Sequence, residues 1–144
     1  MSNSNREIVV SFFNQVWEAG DEAAIDRLMA QTAKIHGLPS PDGGPIFGPT
    51  AFKPFVRQFR QAFPDLKIRA LHIVCEGNLV VYHCNVTGTH LGPDLGVSPS
   101  GSKFEMEGVV IAAIEGGQIQ EGWNCFDFMS LYQQIGMLPL LSGG

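Results

Sequence analysis

The sequence is short of charge. Only 16% of its 144 residues are Asp, Glu, Lys or Arg, and the 9 basic side chains are outnumbered by 14 acidic ones. A net charge of −5 excludes the basic footprint of a nucleic-acid binder. It also leaves no cationic face for an anionic membrane. Cysteine is scarce: Cys75, Cys84 and Cys125 are odd in number and have neither metal nor redox spacing. That excludes a disulfide framework and predicts buried thiols in a reducing cytoplasm. No apolar run approaches the ~20 residues of a membrane helix. The N-terminal MSNSNREIVV is polar and lacks the apolar centre of a secretory signal, so a cytoplasmic protein is expected. Repeats, linkers and low-complexity stretches are also missing. One domain is expected over residues 1–144, with its core at about 6–136.

What the chain does contain is apolar bulk. Hydrophobic residues make up 44%, with 10 phenylalanines and 17 glycines, enough for one sizeable core cut by many turns. Ile8, Val9, Phe12, Phe13, Val16 and Trp17 recur at helical spacing, which predicts an amphipathic helix over 5–18. Gly20 ends it, and Asp21 caps a shorter helix carrying Ile25, Leu28 and Met29. Residues 32–37 read as a short strand and 38–49 as a turn-rich loop. Phe52, Phe55, Val56, Phe59 and Phe63 form a third helical stripe that Pro64-Asp65 stops. From there the period changes to two. Residues 67–76, 79–90, 103–115 and 118–127 predict strands, joined at Glu76-Gly-Asn78 and Glu115-Gly-Gly117 by hairpin turns. Residues 128–136 predict a last helix. The expected class is α+β: a curved, cone-shaped antiparallel sheet wrapped around three N-terminal helices, enclosing an apolar pocket.

Several stretches carry a resemblance. They are VWEAGDEAAIDRLMA (16–30), QAFPDLKI (61–68), VTGTHLGPDLGVSPSGSKFEMEGVVI (86–111) and GGQIQEGWNCFDFMSLYQQIG (116–136). Together they resemble the SnoaL-like polyketide cyclases, within the nuclear-transport-factor-like superfamily, over roughly residues 6–136. The resemblance implies an intramolecular aldol ring closure without metal or cofactor, with a carboxylate on the last strand as general acid/base. It also implies a histidine on the preceding strand and a polar residue after the second helix. By that likeness the carboxylate position is occupied by Asn124 and the strand histidine position by Val110. The polar position falls at His36, and an aromatic ligand-contacting position at Trp17. Limonene epoxide hydrolases share the superfamily and place an aspartate near 124. They also need an arginine that the late strands of this chain lack.

These readings set the candidates. Asn124 cannot take a proton, but its amide can hold a carbonyl or enolate oxygen. His36 is the expected proton carrier, because imidazole titrates near neutrality. Trp17, Phe59, Met106 and Val110, with Phe13, Phe55 and Phe126, are expected to line an apolar pocket. His90, Glu107 and Asp127 are secondary candidates. A structural role is expected for His90 beside the 91–102 connection, an outward face for Glu107, and a helix-capping role for Asp127. His36, His72, His83 and His90 lack metal-site spacing, so no metal is expected. The expected activity is a cofactor-independent cyclase or isomerase of a small apolar carbonyl compound. The alternatives are a non-catalytic binder or an epoxide hydrolase-like enzyme. Val109, Ile111 and Ala113 share the strand face opposite Val110, and an apolar outer face predicts a homodimer.

Overall fold

The computed structural model describes residues 2–137 apart from 41, 94 and 96. Helix α1 (Ser2–Ser11) runs straight into a π-wound segment (Phe12–Glu18). Helix α2 (Glu22–Leu28) starts at Asp21, whose carboxylate accepts from the Ala23 N–H at 3.1 Å. Strands β1 (Met29–His36) and β2 (Ile46–Phe47) precede helix α3 (Gly48–Ala62). Strands β3 (Lys67–Glu76), β4 (Leu79–Thr89), β5 (Lys103–Glu115) and β6 (Gln118–Phe126) lead to helix α4 (Phe128–Gln134). No helix among the described residues is long and apolar enough to cross a membrane.

The six strands form one sheet in the order β2-β1-β6-β5-β4-β3. The expected α+β class holds, with one difference. Every pair is antiparallel except β1 with β6, which is parallel, so the sheet is mixed. The chain leaves β1 through β2, α3 and three further strands before β6 returns beside it, a long-range pairing that no local turn announces. Two further corrections concern boundaries. Met29 and Ala30 belong to β1 rather than to the preceding helix. Ile46–Phe47 forms a two-residue strand inside the expected loop.

Strand alternation divides the sheet into two faces. On β5, Phe104, Met106, Gly108, Val110, Ala112 and Ile114 are buried against the helices, while Glu105 and Glu107 are exposed. On β4 the inward set is Val80, Tyr82, Cys84 and Val86. The helices supply the other half of the core: Val9, Phe12, Phe13, Val16 and Trp17 from the first, Phe52, Val56 and Phe59 from α3. The cysteines split rather than all being buried. Cys84 is buried, Cys75 is half-buried, and Cys125 is exposed because it lies on the outer side of β6.

Candidate functional site

Strand β6 sets the site. A register shift between Ala113 and Ile114 of β5 fits a bulge at Gln120, since Ala113 pairs with Glu121 and Ile114 with Ile119. After it, Gly122, Asn124 and Phe126 point toward the helices, and Glu121, Trp123 and Cys125 point away. Asn124 faces two small apolar chambers. The outer chamber, about 40 Å³, is walled by Trp17, Phe55, Phe59, Met106, Phe126 and Phe128 among others. The inner one, about 30 Å³, is walled by Met29, Ile35, Phe52, Val110, Ala112 and Gly122 among others. Phe13, Trp17, Leu38 and Asn124 border both. Among the described lining residues none carries a carboxyl, imidazole, amino, thiol or hydroxyl group, and Asn124 supplies the one amide side chain.

The Asn124 amide is held in place. Its Nδ2 donates to the His36 carbonyl oxygen at 2.9 Å. One amide hydrogen is thereby committed, which leaves the second hydrogen and the carbonyl oxygen for a ligand. The local backbone makes this contact possible. Gly37 has φ +84°, and a Cβ there would lie 2.0 Å from the Asn124 carbonyl oxygen. Only glycine lets the chain after β1 pass so close to β6.

The aromatic wall is cross-braced. Trp17 meets Phe52, Phe55 and Phe59 edge-on, with centroids 5.9, 5.9 and 5.8 Å away. Phe13 stacks on Tyr82 at 4.2 Å. Burial, with smaller contributions from Cys84 and Glu18, pushes the Tyr82 hydroxyl up to about 12, so it stays neutral beneath the wall. Phe126 has room only because residue 108 is glycine: a Cβ there would sit 1.9 Å from Phe126 Cδ1.

The expected residues are placed as follows. Trp17, Phe59, Met106, Val110 and Asn124 all border a chamber. His36 does not, and this corrects the expected His36–Asn124 partnership. Ala33 and Ile35 take the inward positions at the end of β1, and alternation turns the imidazole outward. There Nε2 lies 2.6 Å from Glu121 Oε2, and the ring stacks on Trp123 at 5.7 Å. Asn124 touches the His36 backbone and not its side chain. Glu107 is also outside, 2.9 Å from His83 Nε2. Asp127 caps α4 by accepting from the Ser130 N–H at 3.0 Å. His90 is fully buried. Its Nδ1 accepts from the Ser100 N–H at 3.1 Å, tying down the 91–102 connection. Its Nε2 has no partner among the described residues.

Sequence reasoning missed Leu38, Phe128 and the whole inner chamber. Leu38 sits in a segment without periodicity, and an internal void leaves no mark on residue spacing. Gly122 was the available signal, because it shares the inward parity of Asn124. Among the described residues no three His, Cys, Asp or Glu side chains are grouped to hold a metal ion.

Comparison with known proteins agrees with this frame. Residues 7–135 match the family model for SnoaL-like polyketide cyclase. No curated protein matches the chain. Among solved structures, a candidate SnoaL-like polyketide cyclase from Jannaschia sp. CCS1 is 25% identical, with a TM-score of 0.83 over 96% of this chain and 95% of that one. IdmH, a candidate polyketide cyclase from Streptomyces antibioticus, is 27% identical, with a TM-score of 0.78 over 92% and 98%. A candidate polyketide cyclase from Acidithiobacillus ferrooxidans is 27% identical, with a TM-score of 0.80 over 94% and 96%.

Proposed function

This chain belongs to the SnoaL-like polyketide cyclase family, and from that premise we propose that it closes or isomerises a small apolar compound bearing carbonyl groups. The observation that carries the reading is Asn124: a single fixed amide at the wall of an otherwise apolar, aromatic cavity. Its uncommitted hydrogen donates to a substrate carbonyl. As the neighbouring carbon loses its proton, negative charge collects on that oxygen and the bond strengthens. One such donor is typically worth about 10²–10³ in rate. In an aldol closure the enolate carbon attacks a second carbonyl carbon of the same molecule. A carbon–carbon bond forms, and the proton lost from carbon ends on the new alkoxide oxygen.

No described side chain lining the cavity can carry that proton, and His36 is assigned no part in the step. The reading therefore requires a substrate whose proton is already acidic, such as a 1,3-dicarbonyl, with water at the cavity mouth as the carrier. The aromatic walls hold the chain folded and exclude bulk water from the reacting carbons.

The test is a panel of aryl 1,3,7-triketones, in which the carbon between the first two carbonyls can reach the third in a six-membered closure, followed by mass spectrometry and thermal shift. Cyclised product that falls about a hundredfold or more in Asn124→Ala, in a variant that still unfolds cooperatively, supports the reading. Equal product with Asn124→Ala sinks it. A second reading, retention of the ligand without conversion, is favoured by the lack of a titratable lining group. A saturating ligand recovered unchanged after prolonged incubation decides for that alternative.

We also propose that two chains pair through the outer face of the sheet. Val74, Val81, Ile111 and Trp123 are successive partners across four strands on that side, and Val74 and Trp123 are exposed. Sedimentation at micromolar concentration tests it: a dimer that Trp123→Glu dissociates is expected, and a wild-type monomer refutes it.

A further inference from the structure

The outer face of the sheet carries a histidine pair that the chemistry of the cavity does not use. His72 of β3 and His83 of β4 are direct cross-strand partners. Their Nδ1 atoms are 3.0 Å apart, and the rings are nearly parallel, tilted by 3°. The other ring nitrogen of His83, Nε2, lies 2.9 Å from Glu107 Oε1 on β5. We propose that His72 and His83 form a two-imidazole chelate for a divalent transition-metal ion of the Cu²⁺ or Ni²⁺ kind, and that Glu107 positions His83 for it.

A strand irregularity makes the pair. Ala70 is opposite Cys84 and His72 is opposite His83, so Leu71 is an extra residue on β3. Ala70 shares its parity with the buried Cys84. Unbroken alternation would therefore turn His72 inward as well. The bulge sends it to the outer face instead, where it is exposed beside the half-buried His83. No local spacing announces this, because the two histidines lie 11 residues apart across the β3–β4 turn.

Hydrogen bonding fixes one tautomer. An ionised carboxylate only accepts, so His83 Nε2 carries the hydrogen and donates to Glu107. Neutral His83 then keeps a bare lone pair on Nδ1, facing His72. In the metal-free protein His72 fills the gap by donating from its own Nδ1. When an ion binds, that hydrogen moves to His72 Nε2, and the two Nδ1 lone pairs become the ligands. No proton is gained or lost in the exchange. Two metal–nitrogen bonds of about 2.0–2.1 Å at a right angle span about 2.8–3.0 Å, which matches the observed separation. Right-angled nitrogen sites are those that Cu²⁺ and Ni²⁺ adopt. Small turns about the soft imidazole χ2 let both lone pairs converge on the ion. A carboxylate behind a ligating imidazole is the arrangement that orients metal-bound histidines and raises their basicity.

The experiment is calorimetric titration of the untagged full chain with copper(II) sulfate, read alongside electron paramagnetic resonance. One ion per chain is expected, with hyperfine splitting from two nitrogens. His72→Gln and His83→Gln should each lower affinity about a hundredfold, the advantage of two tethered ligands over one, and leave at most one coupled nitrogen. Glu107→Ala should lower affinity about tenfold or more. Glu107→Gln, whose amide oxygen still accepts from His83, should recover most of that loss. His36→Gln should change nothing. Trp123→Glu should also bind copper as wild type does, which keeps the result independent of chain pairing. Mg²⁺ should give no heat, because hard ions seek oxygen ligands. Copper held as tightly by both histidine variants as by wild type overturns the proposal. So does Mg²⁺ binding as tightly as copper, or a loss in Trp123→Glu as large as that in His83→Gln. Undiminished affinity in Glu107→Ala refutes the positioning role of Glu107.

Discussion

Replacing Asn124 by aspartate puts back the carboxyl that the family resemblance implies at this position. Its cost follows from one hydrogen bond. The Asn124 amide donates to the His36 carbonyl oxygen at 2.9 Å. An ionised carboxylate of the same shape cannot donate, and would set oxygen against oxygen at that distance. A protonated carboxyl can donate. Hydrogen bonding therefore favours the neutral form, and the surrounding apolar wall does the same by desolvation. The His36 imidazole gives no relief, because it lies on the other face of the sheet beside Glu121. Losing a bond worth about 1 kcal/mol and adding repulsion and desolvation implies a shift of about two units above the ordinary carboxyl value near 3.9. Two units correspond to about 2.7 kcal/mol. The sign follows from linkage. Well below the unfolded value near 3.9 the carboxyl is protonated in both folded and unfolded chains, and the variant matches wild type. As pH rises through the raised folded value the unfolded chain ionises more readily, and the variant loses the full ~2.7 kcal/mol by about pH 8. For a domain of this size that is a drop of roughly 8 °C in Tm. Thermal unfolding of both proteins from pH 4 to 8.5 gives the difference directly. A difference that stays flat with pH, or a variant more stable than wild type at pH 8, refutes the reasoning. The same variant places a proton donor in the cavity, so any ring-closing turnover it gains should lose its acid form over the same pH range.

Three further expectations follow from other contacts. Gly108→Ala drives a Cβ into the Phe126 ring. It should cost about 1–3 kcal/mol by overpacking and weaken ketone binding as the ring moves into the outer chamber; denaturant titration with calorimetry checks both. Burial pushes the Cys84 thiol up to about 12, so peptide mapping after alkylation at pH 7.5 should find Cys125 modified quickly and Cys84 protected until unfolding. Equal rates would contradict the packing. Asp65 accepts from the Thr89 N–H and hydroxyl at 2.8 and 2.7 Å. Although burial pushes its carboxyl up, those bonds and Lys103 outweigh it and hold the carboxyl below its usual range. That stabilisation is present above the unfolded value near 3.9 and is lost as pH falls through the folded one. The deficit of Asp65→Asn at pH 7 should therefore close toward pH 2–3, as thermal unfolding will report.

Much of this was legible because it is periodic. The helical stripe at 8–17 and the two-residue alternation on β5 and β6 place Trp17, Met106, Val110 and Asn124 on one side without any structural knowledge. The same alternation was available for His36. In Ala33-Lys-Ile-His36 the apolar residues take the inward parity and leave the imidazole outside, so strand parity was the better guide than the resemblance. The parallel pairing of β1 with β6 was not legible. It joins residues about 90 positions apart, and parallel neighbours leave no turn between them to read. A two-residue strand such as Ile46–Phe47 is too short for any period to show.

The π-wound segment Phe12–Glu18 has a consequence for how this sequence can vary. Each residue in an α-helix advances the chain by about 100°, and a π turn accommodates extra chain within the same path. Deleting one residue between Phe12 and Glu18 would let the segment rewind as α-helix with the turns on either side keeping their present phase. Val9, now 1% exposed, would stay in the core while Trp17 stayed docked. Deleting a residue from an ordinary α turn would instead rotate everything before it by about 100°. The segment thus holds slack: this helix can lose a residue there without turning its N-terminus away from the cavity wall.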